Sequence, residues 1–325
     1  MSGLSAAFMN TSLALIIMPT EKCNYRCTYC YEDFLAGKMP RDVLDSLLEF
    51  LSKRIPELTN LEISWFGGEP LLAIDVLDEV MSFCHSEATK HSVALSSGIS
   101  TNGHLLSPNI FSLLVQKNVL RYQITMDGPK QFHNARRKRK NAEGDYDLIL
   151  RNLFFICETN ANFDLNIRIH VDRANSECMD DLMADITLIG KDPRTTLCFE
   201  RVKNLGHQLP PDIKPMGQSE FHCFVTKFIS NPKYAHFKFD NVLDKIDTHV
   251  CYAALPNNFV VRSDGRLQKC TVALNNSINT VGKIEKSGRL SINDQYLKWI
   301  SVWQQQDTAL LACPARYFKS SSTLG

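Results

Sequence analysis

The sequence has almost no net charge: 36 lysines and arginines stand against 35 aspartates and glutamates in 325 residues. That balance argues against a chain whose task is to coat nucleic acid or an anionic membrane. Long apolar runs are missing too, and stretches such as 13–18 fall far short of the ~20 residues that cross a bilayer. No basic cluster, apolar stretch and small-residue cleavage pattern opens the chain, so secretion is unsupported and the expected compartment is the cytoplasm. Apart from the polar end 319–324 there is no repeat or low-complexity tract. The remainder is an ordinary globular composition, 44% apolar and 22% charged, long enough for one large α/β domain with a smaller appendage. Cysteine is the exception, with eleven residues, odd in number and unevenly placed. Three crowd between Cys23 and Cys30, where disulfides would close loops too small to constrain the chain. Metal or cluster ligation in a reducing compartment fits them better.

Apolar periodicity alternates between strand-like and helix-like over the first 200 residues. Strands are predicted at 13–18, 61–66, 93–100, 121–126, 165–171 and 196–201, with helices at 42–53, 74–89, 108–117, 146–158 and 178–189. Six strands separated by helices describe βαβ units, which close into a partial or full parallel barrel or lie open as a doubly wound sheet. Either way the reactive groups belong at the carboxyl ends of the strands. After about residue 205 the pattern changes. Pro210, Pro211 and Pro215 stiffen a connection, a helix is expected at 219–229, and Ser263-Asp264-Gly265 marks a hairpin between 258–261 and 266–269. A last helix, 294–304, puts Trp299 and Trp303 on one core-facing side.

Cys23, Cys27 and Cys30 follow the first strand with spacing x3 and then x2. Three thiolates hold three corners of a [4Fe–4S] cube and leave one iron open; a zinc site would need a fourth protein ligand, and Cys84 and His85 lack finger-like spacing. The triplet, with Tyr29 before its third cysteine, resembles the signature of radical S-adenosylmethionine (SAM) enzymes. Three further pieces stand at strand ends: Trp65-Phe66-Gly67-Gly68-Glu69-Pro70, Thr101-Asn102-Gly103 and Met126-Asp127-Gly128-Pro129. The resemblance covers about 11–205 and implies a partial (β/α)6 barrel, followed by a linker and helix at 206–250. It implies that SAM is the cofactor beside the cluster. Gly67 and Gly68 would let its amino group approach the strand edge, and Glu69 would contact the ammonium or orient the loop. Tyr29 would neighbour the adenine and Ser100 or Thr101 the ribose. Asn102 and Asp127 fall in the matching motifs, and Arg168 matches an arginine that contacts the SAM carboxylate in relatives; its bland alternative is a surface salt bridge.

Cys251, Gly265 and Cys270 resemble the start of the SPASM extension, which carries auxiliary clusters in the peptide-modifying branch. The extension would occupy 251–325 in degenerate form, because Leu310, Cys313, Lys319 and Thr323 stand where four more cysteines belong. Neither lysine nor threonine replaces a thiolate on iron. Cys251, Cys270 and Cys313 can hold one auxiliary cluster if the fold gathers them; otherwise the module is a cluster-free remnant. Cys84, Cys157, Cys178, Cys198 and Cys223 stand alone and read as small apolar residues, with Cys223, between His222 and Phe224, singled out as a hydrogen-atom donor. Lys130 and 136–140 place six positive charges in eleven residues. This run reads as a solvated loop, with docking of an acidic partner as the alternative. His133-Asn134 and Arg137 also match a histidine-aspartate-x-x-arginine element of relatives, which would make part of the run scaffold.

The expected function is that of a radical SAM peptide maturase, abstracting hydrogen from a ribosomally made peptide or a protein to cross-link, epimerise or oxidise it. Resemblance to anaerobic sulfatase-maturating enzymes is closest at the Gly-Gly-Glu-Pro and Asp-Gly-Pro elements. Those enzymes have an aspartate where Thr271 stands, which removes the plausible base for formylglycine formation. A nucleotide or other small-molecule substrate is the other alternative. Expected partners are an electron donor such as flavodoxin or ferredoxin; since 22 residues precede Cys23 and fit no winged-helix leader-binding domain, a leader peptide would be recognised by the barrel, the end module or a separate leader-binding protein.

Overall fold

The computed structural model describes residues 8–139, 144–205, 209–240, 250–305, 307–316 and 318. Among them are twelve strands: β1 (Ser12–Ile17), β2 (Tyr25–Cys27), β3 (Asn60–Trp65), β4 (Ala94–Thr101), β5 (Val119–Met126), β6 (Arg137–Arg139), β7 (Asp164–Val171), β8 (Thr195–Arg201), β9 (Asn258–Val261), β10 (Arg266–Gln268), β11 (Thr280–Ile284) and β12 (Leu290–Ile292). The six expected strands are β1, β3, β4, β5, β7 and β8, and helices alternate with them as the periodicity implied. Two compact units result: Met1–Lys22, Phe34–Ser97 and Asp244–Gly325 form the first, and Cys23–Asp33 with Gly98–Leu243 the second. The boundary falls inside β4.

In the first unit the strand order is β12-β11-β10-β9-β1-β3. β1 runs parallel to β3, with Ile17 opposite Trp65, and parallel to β9, with Ile17 opposite Val261. Their carboxyl ends are therefore level. Leu13, Leu15 and Ile17 are buried while Ser12, Ala14 and Ile16 are half-buried, the period of two that a sheet with one covered face imposes. The 258–292 strands extend this sheet as an antiparallel meander through the expected Asp264-Gly265 turn, where Gly265 has φ +84°. Helices Arg41–Arg54 and Ile74–His91 supply covering apolar faces. The second ends in Ser92 at φ +58°, with Lys90 and His91 set against the negative end of its dipole.

In the second unit β5, β7 and β8 run parallel, with Thr125 opposite Arg168 and Arg168 opposite Cys198. Leu165, Ile167, Ile169 and Val171 bury one face of β7, while Asn166, Arg168 and His170 stand half-buried on the other. β2 and β6 pair antiparallel as a separate ribbon, with Cys27 opposite Arg137.

Three local expectations differ in detail. The helix expected at 178–189 is broken into Met179–Asp185 and the turn Thr187–Gly190. The 294–304 helix is α-helical only over Gln295–Ile300 and tightens to 3-10 geometry over Ser301–Gln305; Trp299 is buried and donates to Ile278 O, and Trp303 donates to Ala254 O. The basic run is solvated only in part and is not a loop: Lys130–Arg136 is helical and Arg137–Arg139 forms β6, and Lys130 and Lys138 stay exposed. Arg136 and Arg137 are buried, Arg136 on the Asp172 carboxylate and Arg137 on the Tyr29 hydroxyl. Carboxylate and hydroxyl partners supplied by distant strand ends offset the cost of burying these charges. Lys140 lies outside the described residues, as do 206–208 and 241–249 of the expected linker. No helix of the described residues is long and apolar enough to cross a membrane.

Candidate functional site

The loop after β1 divides at the unit boundary. Its first part, 20–22, lies in the first unit against the turn that follows β3. A Cβ on Gly67, whose φ is +123°, would meet Thr20 O at 2.4 Å; one on Gly68 would meet Lys22 O at 2.3 Å and Glu21 O at 2.8 Å. The Glu69 amide donates to Lys22 O at 2.9 Å. The glycine pair thus beds the chain's own backbone, a close approach only glycine permits. Glu69 is fully buried and its carboxylate accepts the Leu71 amide, capping the turn Pro70–Ala73.

The second part, Cys23–Cys30, lies in the second unit with none of its three thiols in a disulfide and all three partly accessible. It is tied to strand ends. After β4, the Asn102 side-chain amide donates to Asn24 Oδ1 at 2.8 Å and approaches Cys23 Sγ at 3.9 Å, while Asn102 Oδ1 accepts the His104 amide. After β5, Asp127 accepts the Tyr29 hydroxyl at 2.6 Å. Tyr29 also receives Arg137 Nη1 at 3.0 Å and lies 3.1 Å from His170 Nδ1. Burial pushes the Tyr29 hydroxyl up, and the Asp127 carboxylate adds to this. Burial works against the Asp127 charge as well, but the His170 hydrogen bond and the Arg137 guanidinium hold its carboxyl well below the usual range. Burial raises the Cys27 thiol and lifts Cys30 to about 12, while Arg137 pulls Cys27 the other way. Three unbridged thiols with a fixed guanidinium beside one of them suit an anionic cluster that coordinates thiolate. Among the described residues no three His, Cys, Asp or Glu side chains converge as one metal ion requires; ligands on separate corners of a cube stand farther apart than ligands sharing one ion.

The other expected residues are spread along the half-buried face of β4, β5, β7 and β8. Ser100 Oγ accepts from Gln123 Nε2, whereas Thr101 is buried and its hydroxyl accepts the Gly103 amide. Arg168 lies 3.7 Å from Glu200 on β8, both side chains about one-third exposed. The bland salt-bridge alternative is thus present, although Arg168 Nε has no partner among the described residues. Cys198 stands beside Arg168 in the register. Cys223 is exposed on helix Gln218–Ile229, whose buried side is Phe221, Val225 and Phe228. Of the solitary cysteines only Cys84 is fully buried. His170 was not anticipated, since a lone histidine on a half-apolar strand carries no motif.

In the first unit Cys251, Cys270 and Cys313 are neighbours. The Cys251 amide donates to Leu311 O at 2.9 Å; burial pushes the Cys251 thiol up to about 11, and nearby Cys270 and Cys313 add to it. Thr271 is occupied by the Tyr252 hydroxyl at 2.7 Å. Lys319 and Thr323 lie outside the described residues.

His133 is fully buried and neither ring nitrogen has a partner among the described residues. Burial, reinforced by Arg137, pushes its pKa down from 6.5 to about 3. Between those values the unfolded chain binds the extra proton, so stability falls as pH falls through that window, by up to about 1.4 kcal/mol per pH unit. His133→Phe is expected to flatten this acid limb and to add about 1 kcal/mol at neutral pH by removing an unsatisfied buried polar group. Urea midpoints at neutral and mildly acidic pH check both.

Comparison with known proteins places this geometry. Residues 17–171 match the model of the Radical SAM superfamily. The cysteine-type anaerobic sulfatase-maturating enzyme of Clostridium perfringens is 31% identical over 134 residues, 39% of this chain and 36% of that protein. The mycofactocin maturase of Mycolicibacterium smegmatis is 26% identical over 205 residues, 62% of this chain and 48% of that protein. The match spans less than half the length of these curated relatives. The solved structure of native anSMEcpe with bound AdoMet and Cp18Cys peptide superposes with a TM-score of 0.70 at 18% identity, covering 93% of this chain and 88% of that one. The expected fold class, α/β with a partial (β/α)6 barrel, stands. With its thiol triplet set after β1 and the matching motifs at the strand ends, residues 17–171 are similar in sequence and arrangement to the Radical SAM superfamily of enzymes.

Proposed function

We propose that this chain uses S-adenosylmethionine to generate a radical that acts on a peptide or protein. The observation that carries the reading is the unbridged triplet Cys23, Cys27 and Cys30, laced to the ends of β4 and β5 by Asn102 and Asp127. A [4Fe–4S] cluster held there supplies, when bound, the electron that splits the sulfonium into methionine and a 5′-deoxyadenosyl radical. The chain's own groups position and shield. The Gly67–Gly68 turn, bedded on the 20–22 backbone, offers the edge for the amino-acid end of SAM. Arg137 offsets thiolate charge, and the row Ser100, Gln123, Asn166, Arg168 and His170 offers hydrogen bonds along the open face.

A peptide or protein substrate is favoured by the named relatives, a sulfatase-maturating enzyme and a structure holding a peptide. Cross-linking, epimerisation or oxidation is favoured over formylglycine formation because Thr271 offers a hydroxyl already engaged by Tyr252, not a carboxylate. The proximity of Cys251, Cys270 and Cys313 supports one auxiliary iron–sulfur cluster there, the alternative being a cluster-free remnant. The reading also calls for an electron donor such as flavodoxin or ferredoxin; where the substrate carries a leader, the barrel, the C-terminal module or a separate leader-binding protein would recognise it. The test is to supply reduced, reconstituted protein with SAM and either a peptide encoded beside its gene or a panel of nucleotides. 5′-Deoxyadenosine release with a mass change on the peptide is expected; a mass change on a nucleotide would overturn the substrate class, and no release would overturn the reading.

A further inference from the structure

The 20–22 segment is gripped from a second direction, by the C-terminal hairpin. Glu21 and Arg262 are both buried, at 3% and 2% exposure. Arg262 Nε donates to Glu21 Oε1 at 2.6 Å and Nη2 to Oε2 at 2.5 Å, a two-pronged fork. Ser263 Oγ donates to Glu21 Oε1 at 3.4 Å. The guanidinium is anchored in turn: Nη1 donates to Gln268 Oε1 at 3.2 Å and Leu274 O at 2.9 Å, and Gln268 Nε2 donates to the same Leu274 carbonyl. Arg262 follows directly on β9, which is paired with β1, and the Met18 amide donates to Val261 O. The residue before Cys23 is thus the end of a short span whose backbone rests on Gly67 and Gly68 and whose one long acidic side chain is clamped 241 positions away in sequence.

We propose that Arg262 is a positioning residue for S-adenosylmethionine: its fork on Glu21 holds the 20–22 backbone in place, and with it the Gly67–Gly68 turn bedded on that backbone and the chain entering Cys23. This rests on the radical SAM reading above. Stability alone is a poor reason for the pair, because a buried ion pair gives little net stabilisation and an apolar pair of similar volume serves a fold as well. What the fork adds is orientation, since two parallel hydrogen bonds define the carboxylate plane and so the backbone that carries it.

The test compares wild type, Glu21→Met/Arg262→Met, Arg262→Lys and Glu21→Gln, each reconstituted without air, by iron content, urea midpoint and SAM affinity from equilibrium dialysis. The double variant is expected to keep its iron and its midpoint while SAM binds at least about tenfold more weakly, the usual scale for losing a supporting contact. Arg262→Lys, which keeps the charge but not the fork, is expected to fall between. Should the double variant not fold, the shape-conserving Glu21→Gln decides, with a several-fold loss expected. Unchanged SAM affinity in a folded, iron-loaded variant overturns the proposal. A wild type that takes up no iron overturns the underlying reading instead, and shows itself before any variant is made.

Discussion

Replacing Cys23, Cys27 and Cys30 together by alanine is expected to remove about four irons per chain and to reduce SAM cleavage to background. The three thiols crowd within one loop, and none is committed to a disulfide. Anaerobic purification with iron and sulfide quantification reads the result directly. Cys251→Ala, measured beside it, is expected to cost a smaller, separate amount of iron while leaving the first cluster in place, because Cys251 answers to Cys270 and Cys313. Zinc in place of iron, or a colourless wild type, would refute the assignment.

Gly68→Ala is expected to be nearly as severe. The added methyl would sit 2.3 Å from Lys22 O and 2.6 Å from Lys22 C. These are backbone atoms of a span bedded on the glycine turn and clamped through Glu21, so no rotamer change relieves the clash. Overpacking costs about 1–3 kcal/mol even where neighbours give way, which is about five- to 150-fold in affinity; here the loss falls on SAM binding, read by equilibrium dialysis. Gly37→Ala is the control, because nothing lies within 4 Å of a Cβ there. Equal losses in both variants would show that the close approach at Gly68 has no special role.

Much of this was legible before any coordinates. The parallel strands were found because alternation with period two is a local property: Leu165, Ile167, Ile169 and Val171 announce β7 whatever surrounds it. The thiol triplet was legible for the same reason, since its spacing lies within eight residues. Burial of charge was not legible. Arg136 and Arg137 sit in a run that composition assigns to solvent, and only Asp172 and Tyr29, brought over by β7 and the thiol loop, make the interior tolerable. The role of the glycine pair shifted for a similar reason: its freedom was evident, but what occupies the space it leaves is the 20–22 backbone, some 45 residues earlier in the chain.

The amino-acid sequence by itself settled the order of strands and helices, the thiol loop and the family, because each is written in residues close together along the chain. Tertiary structure alone decided that Glu21 answers to Arg262, that Tyr29 and His170 share Asp127, and that Cys251, Cys270 and Cys313 are neighbours. Such contacts join positions far apart in sequence, and each side chain in isolation has the composition of an ordinary surface or core residue. Only the pairing of strand with strand within each unit fixes which of the many chemically acceptable partners each one meets.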